Sequence, residues 1–287
     1  MDRRTLLKTA AWSLAALSLR PAHARPVATQ AQLADLERRH GGRLGVAILD
    51  VAGTRRVGHR ADERFLMCST HKVLTAGAVL ARVDAGREQL DRRVVFGRDA
   101  LLAWAPVTSK RAGAPGMTVA ELCAAAITVS DNTADNLLLE SLGGPTAVTA
   151  FARTLGDPLT RLDRFEPELN LGAPGDERDT TTPDAMLGSL RALLLGTALS
   201  APSRGRLLGW MRATSTGLDQ LRAGAPNDWR VGDKTGSGPN GENNDVAIFQ
   251  PPQSGPRLVT AFYVNPAASG GQRRAVLAAV GRIAASV

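Results

Sequence analysis

Strand-like segments occupy both ends of this 287-residue chain and helical ones fill its middle, an order few architectures can accommodate. Residues 43–51 and 55–60 read as strands joined by a turn at Ala52-Gly53-Thr54. Residues 230–237, 245–250 and 258–265 read as three more, with Pro, Gly and Asn breaks between them. Thr29 with Gln32 is expected to cap a short first helix that Gly41-Gly42 stops. In the middle, Thr118 with Glu121 forms a capping box before the apolar run 122–129. Asp131, Asn132 or Thr133 caps the next helix, which ends at Gly143-Gly144. Residues 145–155 form another, closed by Gly156, and Thr182-Pro183 opens one that runs to Gly196. An alanine-rich helix over 273–285 finishes the chain. Strands so far apart are most economically satisfied by pairing with one another. The expected fold class is therefore α/β of the α+β kind. It has a five-stranded antiparallel sheet with flanking helices built from both termini (25–61 and 213–287) and an inserted all-helical domain over 62–212.

Apolar content of 44% and charged content of 22% describe a globular chain long enough to bury a full core. The first segment reads as an export signal. Arg3-Arg4 precede an apolar stretch, residues 10–19, and Ala22-His23-Ala24 is a small-x-small cleavage site, giving an expected cut after Ala24 and a periplasmic or secreted product. The Arg-Arg-x-Leu-Leu-Lys order resembles the twin-arginine type. The apolar stretch is too short for a permanent membrane anchor. Residues 1–24 carry four cations and one anion, so their removal lowers the net charge from +8 to +5. That excess has no clustered basic tract behind it, which argues against nucleic acid as a partner. His40, His59 and His71 are scattered and no Cys/His spacing suits a metal, so no metal and no cofactor is expected.

The chemistry centres on residues 65–74, FLMCSTHKVL. Ser69 and Lys72 are three apart, which on a helix puts both side chains on one face, about 5–6 Å apart at Cβ. A serine hydroxyl is a poor nucleophile until a neighbour takes its proton, and a buried amine can do so once desolvation lowers its pKa. The apolar run 73–80 would bury the lysine stem. His71, two residues on from Ser69, is turned by about 200° and is expected to pack away from it. Three further stretches accompany the pair: Ser130-Asp131-Asn132 at a helix–loop–helix junction, Lys234-Thr235-Gly236 on the first C-terminal strand, and the polar loop from Arg164 through Glu166 and Asn170 to Asp179.

In order and spacing these four stretches resemble the class A serine β-lactamases over essentially the whole mature chain. The resemblance implies hydrolysis of a small-molecule β-lactam by a monomer, with Ser69 attacking the amide carbonyl and a water clearing the acyl-enzyme. It implies an oxyanion hole from the backbone N–H groups of Ser69 and Ser237, and Ser130 passing a proton to the ring nitrogen. Lys234, Thr235 and Ser237 would receive the substrate carboxylate and Asn132 its side-chain amide. Gly236 lies on the same strand. Trp104 would gate the cleft. Glu166 would activate the deacylating water, shared with Asn170, and either Lys72 or Glu166 could take the Ser69 proton. Arg164 and Asp179 would close the loop as an ion pair.

Departures from the family pattern bear on specificity. Where many relatives carry a carboxylate-binding arginine, this chain shows Asn244-Asp245 and Gln220. Arg274, or its neighbour Arg273, is the remaining candidate, a combination with Ser237 that in relatives goes with a preference for cephalosporins. Gly238 stands where one branch has a cysteine to clamp Cys68, and Ala76 lies near the place of a partner for Cys123, so two free thiols are expected. Two other readings share the motifs: a peptidoglycan transpeptidase or carboxypeptidase, and a β-lactam sensor that stays acylated. The first would normally lack the Glu166–Asn170 loop, and both would carry a membrane anchor.

Overall fold

The computed structural model describes residues 24–173 and 175–287; the expected leader lies outside them except for Ala24. The strands, in chain order, are β1 (Arg43–Asp50), β2 (Arg55–His59), β3 (Phe65–Leu66), β4 (Arg93–Val94), β5 (Met117–Thr118), β6 (Thr180–Thr181), β7 (Arg230–Ser237), β8 (Glu242–Gln250) and β9 (Arg257–Val264). The α-helices are α1 (Ala24–His40), α2 (Lys72–Asp84), α3 (Val119–Thr128), α4 (Asn132–Leu142), α5 (Pro145–Thr154), α6 (Pro183–Leu194), α7 (Ala201–Arg212) and α8 (Gly270–Ala285). The five long strands form one sheet in the order β2-β1-β9-β8-β7, every neighbour antiparallel. The first strand therefore pairs with the last, from Arg43 opposite Val264 to Asp50 opposite Arg257.

The period-two alternation of the strands divides the core into two layers. Val246 and Ile248 of β8, with Leu258 and Phe262 of β9, face α2 to α7 and join Leu74, Leu122, Leu138 and Leu190. Ala247, Phe249, Val259, Ala261 and Tyr263 point the other way, against Leu33 and Leu36 of α1 and Val276, Leu277 and Val280 of α8. Each fully buried leucine or phenylalanine contributes on the order of 1.5–3 kcal/mol, so both layers are needed to hold a sheet covered on both faces. The sheet's outer strand β7 is bonded on one side only, and its free edge looks toward the helical layer.

Several helix boundaries follow from side-chain capping. Thr118 Oγ1 accepts from Glu121 N at 3.1 Å while Glu121 Oε2 accepts from Thr118 N at 2.7 Å, the reciprocal box expected for α3. Asp131 caps α4 and Gly143, at φ 102°, ends it in the left-handed conformation that glycine adopts without strain. Four boundaries differ from the sequence expectation. Helix α1 spans Ala24–His40, so Thr29 lies inside it rather than capping it. Strand β8 begins at Glu242 because Asn243 and Asn244 are buried and paired into the ladder despite their polarity. Helix α8 begins at Gly270 behind a capping box of Ser269 and Gln272. Helix α7, capped by Ser200 with a proline in its first turn, was not anticipated.

Candidate active site

The nucleophile candidate sits where β3 hands over to α2. Ser69 lies in a 3-10 turn, Cys68–His71, and α2 continues directly from it. The turn is held from three sides. Met67 N donates to Asp179 O at 2.9 Å, Thr70 Oγ1 donates to Met67 O at 2.8 Å, and Asn244 Nδ2 donates to the carbonyls of Leu66 and Met67 at 2.9 and 3.1 Å. Gly236 of β7 completes the enclosure. A Cβ there would lie 2.8 Å from Met67 O and 3.1 Å from the amide nitrogens of Ser69 and Thr70, so only glycine lets the strand edge come this close. Gly236→Ala is expected to push β7 off the turn, lowering kcat/KM by about tenfold or more and stability by about 1–3 kcal/mol. Steady-state kinetics alongside thermal unfolding would check both.

Lys72 is fully buried. Its Nζ donates to Asn132 Oδ1 at 2.6 Å, Ser130 O at 3.1 Å and Ser130 Oγ at 3.4 Å, and pairs with Glu166 Oε1 at 3.1 Å. The same Glu166 oxygen accepts from Ser69 Oγ at 3.2 Å, while Glu166 Oε2 accepts from Asn170 Nδ2 at 2.6 Å. One carboxylate thus joins the hydroxyl, the ammonium and the amide. Asn136 positions its backbone, accepting from Glu166 N at 3.0 Å and donating to Glu166 O at 2.9 Å. Sequence reasoning missed Asn136; its signal is the asparagine one helical turn past Asn132, on the same face of α4. The loop closes as expected: Arg164 Nε donates to Asp179 Oδ2 at 2.6 Å, and Asp179 Oδ1 accepts from the amides of Asp163 and Arg164 at 2.7 and 3.0 Å.

Ser130 lies between α3 and α4 with a positive φ of 59°. Its hydroxyl accepts from Lys234 Nζ at 3.1 Å and from Lys72 Nζ at 3.4 Å, so two lysines converge on it. Burial, then repulsion from Lys72, pulls the Lys234 pKa down to about 7. Behind it, burial and the nearby Asp233 push the Asp245 carboxyl well above the usual range, and Arg222 pairs with Asp233. Asp131 accepts from Val107 N and Thr108 N, each at 2.9 Å, tying down the loop that carries Trp104. The Trp104 indole donates to Val129 O at 3.1 Å and remains 56% exposed at the rim.

A cleft of about 400 Å³ opens over these groups, lined by every sequence-predicted residue except Lys72 and Lys234, which lie beneath it. Thr216, Gln220 and Asn243 line it too and were not singled out as contacts. The β8 residue facing the cleft is Asn243, bonded to Gln220 Oε1 at 2.7 Å. Asn244, on the opposite face of the strand, bonds the carbonyls of Leu66 and Met67, and Asp245, on the Asn243 face, is fully buried and accepts from Leu221 N at 3.1 Å. Of the two arginines, Arg274 reaches the cleft, sharing its guanidinium with Asp219 at 2.6 Å, while Arg273 turns back onto the carbonyls of Asn265 and Ala268. Both cysteines are free and buried, and a Cβ at Gly238 would lie 3.1 Å from Cys68 Sγ. Among the described residues no helix is long and apolar enough to cross a membrane.

A hydroxyl in contact with a buried carboxylate, and a second hydroxyl between two ammonium groups, suit acyl transfer by a serine nucleophile followed by hydrolysis. Comparison with known proteins narrows the class. A family model described as "Beta-lactamase enzyme family" matches residues 28–287. Beta-lactamase OXY-1 of Klebsiella oxytoca is 46% identical over 98% of this chain and 96% of its own length. Beta-lactamase Toho-1 of Escherichia coli is 45% identical over the same shares. The structure of an ancestral (GNCA) class A β-lactamase superposes with a TM-score of 0.87 at 59% identity, covering 89% of this chain and 98% of that one. The putative class A β-lactamase PenP from Rhodopseudomonas palustris gives 0.88 at 53% identity, covering 90% and 99%. This chain belongs to the class A β-lactamases.

Proposed function

We propose that the protein hydrolyses the β-lactam amide of penicillins and cephalosporins through a Ser69 acyl-enzyme, and so confers resistance to them. The observation that carries this reading is the single Glu166 oxygen within 3.2 Å of Ser69 Oγ and 3.1 Å of Lys72 Nζ. Ser69 Oγ forms a bond to the carbonyl carbon while its proton passes to Glu166, and Lys72 holds that carboxylate in place. Charge on the carbonyl oxygen is met by the N–H groups of Ser69 and Ser237. The carbon–nitrogen bond then breaks, Ser130 delivers a proton to the departing nitrogen, and the proton that Glu166 took from Ser69 passes through Lys72 to Ser130, which leaves Glu166 ionised again. Glu166 and Asn170 next orient a water, Glu166 takes its proton as it attacks the ester, and the bond to Ser69 Oγ breaks as Glu166 returns that proton to the serine. Thr235, Ser237 and Arg274 receive the substrate carboxylate, Asn132 the side-chain amide, and Trp104 covers the mouth of the cleft. We assign the chain to the periplasm or the exterior as a monomer cut after Ala24. We take 25–61 with 213–287 and 62–212 as its two parts, with the cleft at their junction.

The test is the time course of a chromogenic cephalosporin. Sustained turnover at catalytic enzyme concentration supports hydrolysis; a burst of one equivalent followed by arrest overturns it in favour of an enzyme or sensor that stays acylated. The Lys234 ammonium adds a signed expectation. In the free enzyme its charge is lost as pH rises through about 7. A bound substrate carboxylate restores the proton. kcat/KM for such substrates should therefore fall above pH 7 while kcat stays level, since the first reports the free enzyme and the second the complex. A kcat/KM that is flat from pH 6 to 9 would show that the lysine stays charged throughout.

A further inference from the structure

Beneath the nucleophile lies a buried pair that the steps above do not use. His71 and Asp135 are both completely inaccessible, and His71 Nε2 lies 2.8 Å from Asp135 Oδ2. The other ring nitrogen, Nδ1, lies 2.8 Å from the carbonyl oxygen of Cys68. A carbonyl oxygen can only accept, so Nδ1 carries a proton. The Nε2–Oδ2 contact likewise requires one proton between the two atoms. Ring and carboxyl together therefore form a neutral unit holding a shared proton. Burial would draw the His71 pKa down, but the charge of Asp135 and its hydrogen bond outweigh that and hold it above the usual histidine value. Burial would raise the Asp135 carboxyl, yet the His71 charge and hydrogen bond, with Lys72 behind them, keep it low. Both directions favour imidazolium facing carboxylate. Lys72 on α2, Cys123 on α3 and Glu166 in the loop are the other titratable groups that bear on the pair.

The oxygen that His71 grips belongs to the same planar peptide unit as the N–H of Ser69. In a trans peptide the two point in opposite directions, so fixing the carbonyl aims the N–H. Donation from a charged ring also polarises the amide, strengthening its N–H as a donor. Cys68, on the other side of that peptide, sits at φ 46°, a left-handed value that few non-glycine residues adopt and that needs holding. We infer that His71 and Asp135 are positioning residues, a buried dyad that clamps and polarises the Cys68–Ser69 peptide and so sets the direction and strength of the Ser69 N–H toward the oxyanion. The inference rests on Ser69 being the nucleophile.

Two substitutions test it. Asp135→Asn keeps the size and removes the charge. The double change His71→Phe with Asp135→Ala removes the dyad without stranding a buried charge. Each is compared with the wild type at equal titrated site concentration for kcat, KM, thermal unfolding and inhibition by phenylboronic acid, whose tetrahedral adduct on serine places an oxygen in the oxyanion hole. Both variants should lose about tenfold in kcat/KM, mostly in kcat, with phenylboronate binding weakened in step. A lowered melting temperature with unchanged kcat/KM and boronate binding in both would reduce the pair to a packing role and overturn the inference. Mass spectrometry of the wild type with a β-lactam separates the two levels. No adduct on Ser69 would remove the nucleophile reading and the dyad's role with it, whereas an adduct with wild-type kinetics in both variants would remove the dyad's role alone.

Discussion

Glu166→Ala should convert continuous hydrolysis of a chromogenic cephalosporin into a burst of one equivalent followed by near arrest. Ser69, the backbone donors and the Lys72 side chain held on Ser130 and Asn132 remain, so the carbonyl can still be attacked. Ester hydrolysis has no such substitute, because the carboxylate contacting Asn170 is gone. Loss of a positioned general base typically costs about 10²–10⁴-fold, and here it falls on the deacylation step. Mass spectrometry should find the acyl adduct persisting on Ser69. The substitution also strands the Lys72 ammonium, whose ion-pair partner it removes, in a fully buried place. Glu166→Gln, which preserves shape and one acceptor, is the companion variant. It should show the same trapped ester with less loss of stability. Turnover at the parental rate by either variant would remove Glu166 as the base.

Asp179→Asn should loosen the loop that carries that base. Asp179 is wholly buried, pairs with Arg164 and accepts two backbone amides, so it fastens both ends of the segment. Asparagine retains an acceptor for the amides but leaves the Arg164 guanidinium, which is 20% exposed, without its counter-charge. Breaking a buried pair from one side costs about 3–5 kcal/mol, and the partial exposure of Arg164 puts the expectation at the lower end. That corresponds to a fall in melting temperature of roughly 6–12 °C for a chain of this size. Faster hydrogen exchange should appear across the loop, and the acyl-enzyme should accumulate as Glu166 and Asn170 lose their fixed placement. Unchanged exchange together with unchanged turnover would mean that the loop is held by other contacts, such as Asn136 on the Glu166 peptide.

How much of this was legible depended on whether a feature is local in the chain. Capping boxes, glycine stops and alternating strands lie within a few residues of one another, and those elements came out close to their true bounds. The four catalytic stretches were readable because each brings its own spacing, as Ser69 does with Lys72 and Glu166 with Asn170. Helix α7 escaped because its solvent-facing side and weak apolar stripe give little periodic signal, although the Ser200 cap and the proline after it were available. The start of β8 escaped because Asn243 and Asn244 look like loop residues until the partners that bury them are known. His71 read as a packing residue, since nothing in a single sequence connects it with Asp135, 64 positions away. Such a pair becomes visible only when the 3-10 turn before α2 and the start of α4 are laid together.

The place of β9 has a consequence for how this protein comes into being. It is the middle strand of the five, yet it begins only at Arg257 of 287 residues. Of this sheet, a nascent chain that has not reached it owns two separate ribbons, β1 with β2 and β7 with β8, and a lone two-stranded ribbon is marginal in water. Premature stops, frameshifts and clipping that remove β9 should therefore yield not a weakened enzyme but none, and no activity can exist before that strand has been made.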